Sequence, residues 1–327
     1  MTIVAAPRVG TRRGVGAARW LVERLGGLLF VLWAAATLTF FAIRLIPGDP
    51  AEAVLGGPGS QASAEALAAA RAEYGLDQPL IVQYLSQLAR YARFDFGTSF
   101  SLRQPVSTVI GEQLGGTILL AVLSLALAWV LALAVALWST RSGRVAAAIG
   151  TALEVVAVAL PHFWLATSLV LLFSTMLGWL PPLSTSGPAG LVLPTVTLAI
   201  PLAGFIGQIM RESLLDALSS PFVLAARTRG ETESGVIWRH ALRHAALPAI
   251  GLSGWAFGNL VSGAVVVETI FARPGLGRSL LSAVQDRDVP LVTGIVLVVA
   301  LAYSLVTTLT DLLDRIADPR LRTPAVA

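Results

Sequence analysis

The chain of 327 residues is 55% apolar and only 13% charged, with a mean hydropathy of +0.76, which excludes an ordinary soluble domain and indicates an integral membrane protein. Its 23 basic residues are all arginine and leave a net charge of +4, but they are scattered between apolar stretches, none long enough in its polar parts to fold as a basic domain, so nucleic acid is excluded as a partner. With no cysteine, disulfides and thiolate metal sites are excluded too.

Residues 1–24 read as a cytoplasmic tail, rich in Gly, Ala and Arg and without periodicity at its start. Leu25 to Ile46 is apolar over the ~20 residues that cross a bilayer and is too long for a signal-peptide core. Arg8, Arg12, Arg13, Arg19 and Arg24 precede it and predict a cytoplasmic N-terminus. Residues 47–113 follow as an extracytoplasmic segment. Within it Ala62 to Tyr74 is helix-prone and stopped by Gly75. Pro79 opens a second helix with Ile81, Tyr84, Leu85, Leu88 and Ala92 on one stripe, a pattern that lies flat on membrane or protein. Pro105, Val106, Val109 and Ile110 begin a third short amphipathic helix.

Residues 114–320 form the membrane core. Leu114 to Trp138 is a span, with Arg141 and Arg144 at its cytoplasmic end. Val145 to Leu180 is too long for one upright span and is interrupted at Leu160-Pro161-His162. Leu191 to Met210 is one clear span, and Arg144 belongs on the same side as the arginines from Arg211 onward. Val145 to Leu180 must therefore cross once, as one tilted helix that can be kinked. Pro248 to Ile270 leads out and Leu291 to Leu313 returns, with Arg315, Arg320 and Arg322 inside and residues 321–327 as a short tail. The expected fold is all-α, with six transmembrane helices and both termini cytoplasmic.

Residues 211–247 are the long polar interruption of this core. Ser220 can cap a helix beginning at Pro221, whose fixed φ suits a first helical position, and Gly230 can close it in a left-handed conformation. Pro221 to Arg229 is thus one short helix, in which the small Ala225-Ala226 pair permits close approach. A second begins near Thr232 to Ser234, with Trp238, Ala241, Leu242 and Ala245 on one face and Arg239, His240, Arg243 and His244 on the other. Pro248 marks the start of the next element. Two short amphipathic helices hinged at a glycine between two spans make a docking surface.

The run A-A-R-T-R-G followed by H-A-L-R-H-A-A-L-P, ending eighteen residues past the glycine, resembles the coupling loop of ABC-importer permeases. Its long glycine-to-proline spacing is similar to their dipeptide, oligopeptide and nickel branch. The branch usually shows Tyr, Arg, Lys and Asn where this chain has Phe222, Leu224, Arg229 and His244. Other segments resemble the same branch: Arg44-Leu-Ile-Pro-Gly-Asp-Pro50, G-L-D-Q-P-L-I-V-Q-Y at 75–84, F-D-F-G-T-S-F at 94–100, the hairpin Glu268 to Arg278 with Arg287-Asp288-Val289-Pro290, and Asp318-Pro-Arg320. The resemblance implies a type I importer fold in a bacterial inner membrane. It also implies a second permease subunit, two ATP-binding subunits, an extracytoplasmic substrate-binding protein and a peptide cargo, with nickel or a metal chelate as the alternative. Pro221, Phe222, Ala225, Ala226, Arg227, Gly230, Arg239 and Arg243 would then couple to the ATPase.

Chemistry of its own is not expected. There is no G-x-x-x-x-G-K-[ST] loop, so ATP hydrolysis falls to partner subunits, and neither cofactor nor metal is implied. Gly251-Leu-Ser-Gly254 resembles the nucleophile site of rhomboid intramembrane proteases, but no histidine follows His244 to serve as base. His240 and His244 stand at i, i+4 without the Glu of an H-E-x-x-H, and read as a polar helix face. His162, beside Pro161, reads as a hydrogen-bonding partner at the kink. Arg44, Glu154, Glu268 and Asp311 are ionisable residues within or at the edges of spans, where a charge must face protein or water. Glu154 and Glu268 are candidates for a pathway role or for inter-helix pairing; for Glu154 pairing is the working expectation.

Overall fold

The computed structural model describes residues 13–45, 50–55, 62–184 and 187–317. The first twelve residues, residues 46–49, Asp318-Pro-Arg320 and the C-terminal residues lie outside them. The described residues form helices α1 (Arg13–Leu45), α2 (Pro50–Val54), α3 (Ala64–Glu73), α4 (Leu80–Tyr91), α5 (Val106–Arg141), α6 (Gly143–Ala159), α7 (His162–Leu169), α8 (Ala189–Leu218), α9 (Pro221–Thr228), α10 (Glu233–Gly235), α11 (Leu242–Ile270), α12 (Leu276–Gln285) and α13 (Val289–Ala317). Among them α1, α5, α8, α11 and α13 are long and apolar enough to cross a membrane, and counting the bent pair α6–α7 as one span makes six.

That bent pair corrects one expectation. The segment is not a single kinked helix: α6 and α7 meet at 103°. A residue before proline is pushed out of the helical region, and Leu160 accordingly sits at φ −74°, ψ 120°, so that Pro161 opens a new helix instead of bending the old one. The chain then relaxes into a π turn over Val170–Met176. A second difference lies in α5. The expected short helix at Pro105 and the span beginning at Leu114 are one continuous helix of 36 residues. At ~1.5 Å per residue it is about 54 Å long and overshoots the ~30 Å hydrocarbon core. Gly116 is needed in it because a Cβ there would lie 2.8 Å from the Pro274 carbonyl oxygen.

The stripe on α4 divides in a way its spacing alone does not reveal. Tyr84 and Leu88 turn inward beside Gln87 and Tyr91, while Ile81, Leu85 and Ala92 are exposed. Tyr84 packs on Phe40 and its hydroxyl meets Thr37 Oγ1 at 2.8 Å, fixing α4 against α1. The Arg44 guanidinium lies 3.5 Å from the centroid of the Phe40 ring and donates to Gln83 Oε1 at 2.6 Å, which holds the same pair of helices.

Helix α8 occupies the centre, against α5, α6 and α11. It holds Pro194 and Pro201 without breaking. A proline frees the carbonyl four residues earlier, and the Gly190 oxygen freed by Pro194 accepts from Ser184 Oγ at 2.8 Å. Packing around α8 relies on small residues. Ala128, Ala132 and Ala136 of α5 form a buried i, i+4 ridge, and Ala199, Ala203 and Gly204 of α8 are buried as well. A Cβ on Gly204 would stand 2.6 Å from the Glu154 carbonyl oxygen and 2.8 Å from Ala157 Cβ. Gly204→Ala is therefore expected to overpack the α6–α8 crossing by about 1–3 kcal/mol and to lower the thermal midpoint of the detergent-solubilised protein. Gly115→Ala, with nothing within 4 Å of the added carbon, should leave the midpoint unchanged or raise it.

Candidate functional site

The polar loop continues α8 past the apolar core. Arg211, in the last turns of α8, donates from Nε to Glu154 Oε2 at 2.8 Å, joining α8 to α6. Glu154 is 3% exposed, and its second oxygen, Oε1, has no hydrogen-bond partner and faces Gly207. This carboxylate thus sits at an inter-helix crossing. Arg211 was legible in the sequence as the start of the loop but not as the partner of Glu154, because fifty-seven residues separate them.

Ser220 is extended at the start of α9, but its hydroxyl turns back to the Ala217 carbonyl instead of capping the new helix. Pro221 occupies the first turn, Arg229 is the C-cap, and Gly230 stands at φ +81°, which reverses the chain. Thr232 then caps α10, its Oγ1 accepting from the Gly235 amide at 3.2 Å. The helix that follows is not separate from the next span. It runs from Glu233 to Ile270 through a π turn at Val236–Ala241, with Pro248 inside it. The π turn shifts the helix face, so Ile237, not Trp238, lines up with Ala241 and Ala245 on the buried side, and Trp238 is exposed.

The loop is folded on itself and on the spans. Val223, Ala226 and Val236 form a buried cluster with Leu218, and Leu214, Ala217, Ala241 and Ala245 form another with Leu137. Ala226 is fully buried, so of the Ala225-Ala226 pair only Ala225 faces outward. Arg227 makes a two-pronged pair with Glu233, at 2.9 and 3.0 Å. Glu231 receives His240 Nε2 at 2.8 Å and lies 3.6 Å from Arg239. The Phe222 and His244 rings pack at a tilt of 43° with centroids 4.7 Å apart. The surface left outside carries Phe222, Leu224, Ala225 and Trp238, flanked by Arg229 and Arg243. A rigid apolar knob with a basic border is suited to insertion into a protein groove.

Glu268 lies at the other end of α11, fully buried. Its Oε1 accepts from Thr117 Oγ1 at 2.6 Å, and its Oε2 accepts from the Gly277 and Arg278 amides at 2.8 and 3.1 Å. The carboxylate therefore seals the N-terminus of α12 against α5, where a negative charge is favoured. Gly275 is required beside it, since a Cβ there would overlap the carboxylate. Asp288, not singled out as a site by sequence reasoning, does the same at α13. It accepts from the Ser99 hydroxyl, from the Ser101 amide and hydroxyl at 3.0 and 2.9 Å, and from the Leu291 amide at 3.1 Å. Its place in Arg287-Asp288-Val289-Pro290, just ahead of a span, was the available signal.

The residues read above as imitating enzyme sites have structural positions. Ser253 donates to the Ala249 carbonyl at 2.9 Å and receives Trp129 Nε1 at 3.2 Å, and His162 lies against Gly263 and Leu198. Among the described residues no three His, Cys, Asp or Glu side chains are gathered as a metal site.

Six spans, a rigid polar loop between the fourth and fifth, and carboxylate-sealed helix ends define a membrane-embedded transport component. The chain belongs to the family of binding-protein-dependent transport system inner membrane components, whose model matches residues 124–323, and the N-terminal model of the same components matches 17–121. It is 37% identical over 313 residues to a protein of Brucella abortus (strain 2308) named as a candidate peptide transport system permease, covering 92% of this chain and 98% of the relative. It is 35% identical over 308 residues to the glutathione transport system permease protein GsiC of Salmonella choleraesuis (strain SC-B67), covering 93% and 98%. Among solved structures, an amino acid ABC transporter with histidines aligns over 65% of this chain and 94% of its own, at 18% identity and a TM-score of 0.47.

Two outcomes test this geometry. Ala226→Glu should force a charge into the Val223–Val236 cluster, loosen the loop, and speed tryptic cleavage after Arg227 and Arg229 in the solubilised protein at least severalfold. Removing one partner of a buried ion pair costs about 3–5 kcal/mol. Glu154→Leu, which strands Arg211, should thus lower the yield of folded protein strongly. Glu154→Gln, which can still accept from Arg211, should lose much less, as read by the monodisperse fraction in size-exclusion chromatography.

Proposed function

We propose that this chain is the permease subunit of an ATP-driven importer that carries peptides across the inner membrane. The single observation that supports it most is the loop at 211–247, which presents Phe222, Leu224 and Ala225 on a short helix anchored to two spans. A subunit without a nucleotide site can use ATP only through a mechanical contact, and such a contact must be stiff enough to move a span. Ala226, Arg227 and Arg239 hold the loop together, Pro221 and Gly230 set the angle at which α9 projects, and Arg243 lies on the basic border. In this reading two ATP-binding subunits receive the loop, a second permease completes the path, and an extracytoplasmic binding protein delivers the cargo. Relatives named for peptide and glutathione transport favour a peptide over nickel or a metal chelate. Glu154 and Glu268 act in this scheme as inter-helix ties and not as groups on the path.

Coupling is tested with Ala225→Glu, which puts a charge on the outward face, and Gly230→Val, which disfavours positive φ. In proteoliposomes of the whole complex both should cut peptide uptake at least tenfold and abolish stimulation of ATP hydrolysis by loaded binding protein, at unchanged permease abundance. Wild-type uptake in both would refute the coupling role. The orientation is tested separately, since the chain has no native cysteine. Single cysteines at the exposed positions Ser63 and Ser282 should react with an impermeant thiol reagent added to intact cells, and those at Ser142 and Ser234 should not. External labelling at Ser234 would overturn the assignment of the loop to the cytoplasm.

A further inference from the structure

Polar side chains without a partner gather half-way along the fifth span. Asn259 stands midway between Pro248 and Ile270, so at ~1.5 Å per residue it lies about 16 Å from either end. It is exposed, and with the exposed Leu252, Trp255, Ser262 and Val266 it follows one helical face of α11. Rings from two other helices border that face. A Cβ on Gly258 would lie 2.9 Å from Tyr303 Cε2 of α13, and one on Gly263 would lie 3.0 Å from His162 Nε2 of α7. Gly258 is about 100° round the helix from Asn259 on one side and Gly263 about 40° on the other. The side chains of Asn259, Ser262, Tyr303 and His162 make no hydrogen bond among the described residues. By contrast, the exposed residues of α5 from 115 to 134 and of α6 from 145 to 159 are all apolar, as lipid contact requires.

The backbone marks the same place independently. His162 follows the break at Leu160-Pro161, where the chain is extended half-way along a broken span and Pro161 is exposed. Irregular backbone at membrane depth is tolerated only where protein buries it or where it lines a water-filled cavity. A second helix packed on this face would satisfy the same demand, but helices pack closely in membranes through small residues. Here Trp255, 49% exposed, and Tyr303 stand out from the face and hold a neighbour away. The face is therefore built to border a gap that holds water.

We propose, on the reading of this chain as a peptide permease, that Asn259 is a cargo-binding residue: it hydrogen-bonds the backbone of the passing peptide from a wet wall formed by α7, α11 and α13. A carboxamide both donates and accepts, as each peptide group does, so it can pair with the cargo at any residue. No charged side chain stands among the exposed residues of α11 from Pro248 to Thr269. The grip is thus indifferent to the charge of the cargo's side chains, and weak enough to let it leave.

The test uses the whole complex in proteoliposomes and reads thiols on this chain, which has no cysteine of its own. Asn259→Cys and Ser262→Cys should react with a charged methanethiosulfonate, which needs water at the thiol, at least tenfold faster than Val130→Cys, a position 63% exposed on the apolar face of α5. Photoreactive benzoylphenylalanine in place of Trp255 should capture a radiolabelled tripeptide mixture during uptake. One net hydrogen bond is worth about a fivefold change, so Asn259→Leu should lower tripeptide uptake about fivefold while stimulation of ATP hydrolysis by loaded binding protein persists, and Asn259→Ser should keep most of the uptake. Equal thiol reaction at positions 259 and 130 would overturn the wet wall. Uptake without capture at position 255, equal uptake by wild type and Asn259→Leu, or loss of the ATPase stimulation in Asn259→Leu would overturn the cargo contact and leave peptide import standing. No tripeptide uptake by the wild type would overturn peptide import itself, and the role of Asn259 with it, whatever the thiols report.

Discussion

Close approach of helix backbones around α8 is the constraint on which the rest of the assembly depends. In hydrocarbon, apolar side chains gain little by leaving lipid for protein, so association rests on packing density and on a few polar ties. Gly204 lets α8 touch the backbone of α6 at Glu154, the Ala128–Ala132–Ala136 ridge brings α5 close, and Gly263 admits Leu198 and His162 against α11. Each contact is made by the absence of a side chain, which is why the buried part of the bundle is rich in alanine and glycine. The same closeness lets a proline reside in α8, since its freed carbonyl meets the hydroxyl of Ser184 from the neighbouring turn.

Polar ties stand where the packing needs direction. Glu154, Glu268 and Asp288 are all buried, and each joins segments far apart in sequence: α6 to α8, α11 to α5 and α12, and the stretch before α5 to α13. Two of the three accept backbone amides at the first turn of a helix, where orphan N–H groups would otherwise be unpaired. Glu154 differs, because its partner is a guanidinium at the point where α8 leaves the core and becomes the loop. The ion pair therefore ties the part of α8 that leads into the loop to α6, and α6 ends at the 103° break. Stiff loop, ion pair and broken span form one continuous physical connection.

Much of this was legible in the chain because it depends on local chemistry. Apolar runs separated by arginines mark the spans, Pro221 and Gly230 bracket α9, and Gly75 stops α3 with φ +63°. What escaped depends on three-dimensional neighbours. The step from a kink to a 103° bend needs the space into which α7 turns. The continuity of α5 through Gly111, Gly115 and Gly116 runs against helix propensity, and of the three it is Gly116 that stands against the Pro274 carbonyl. The inward face of α9 could not be read because Ala225 and Ala226 are chemically identical, and only Val236, from beyond the glycine, distinguishes them. The π turn after α10 defeated the 3.6-residue period that had placed Trp238 with Ala241.

The outward face of the loop also bears on its partner. The related permeases usually carry Tyr and Asn where this chain has Phe222 and His244, two departures that look independent along the sequence. In the structure they touch, with ring centroids 4.7 Å apart. A hydroxyl and an amide able to hydrogen-bond are thus replaced together by two rings in tilted contact, which keep the bulk of the knob while lowering its polarity. Leu224, standing where arginine is usual, lowers the polarity of another part of the α9 surface and is 63% exposed. Pro221, Ala226 and Gly230 still define the backbone of the loop, so these departures alter its outer surface and not how it is held. In the coupling role proposed above, such a surface is matched by a groove more apolar than one built for tyrosine and arginine.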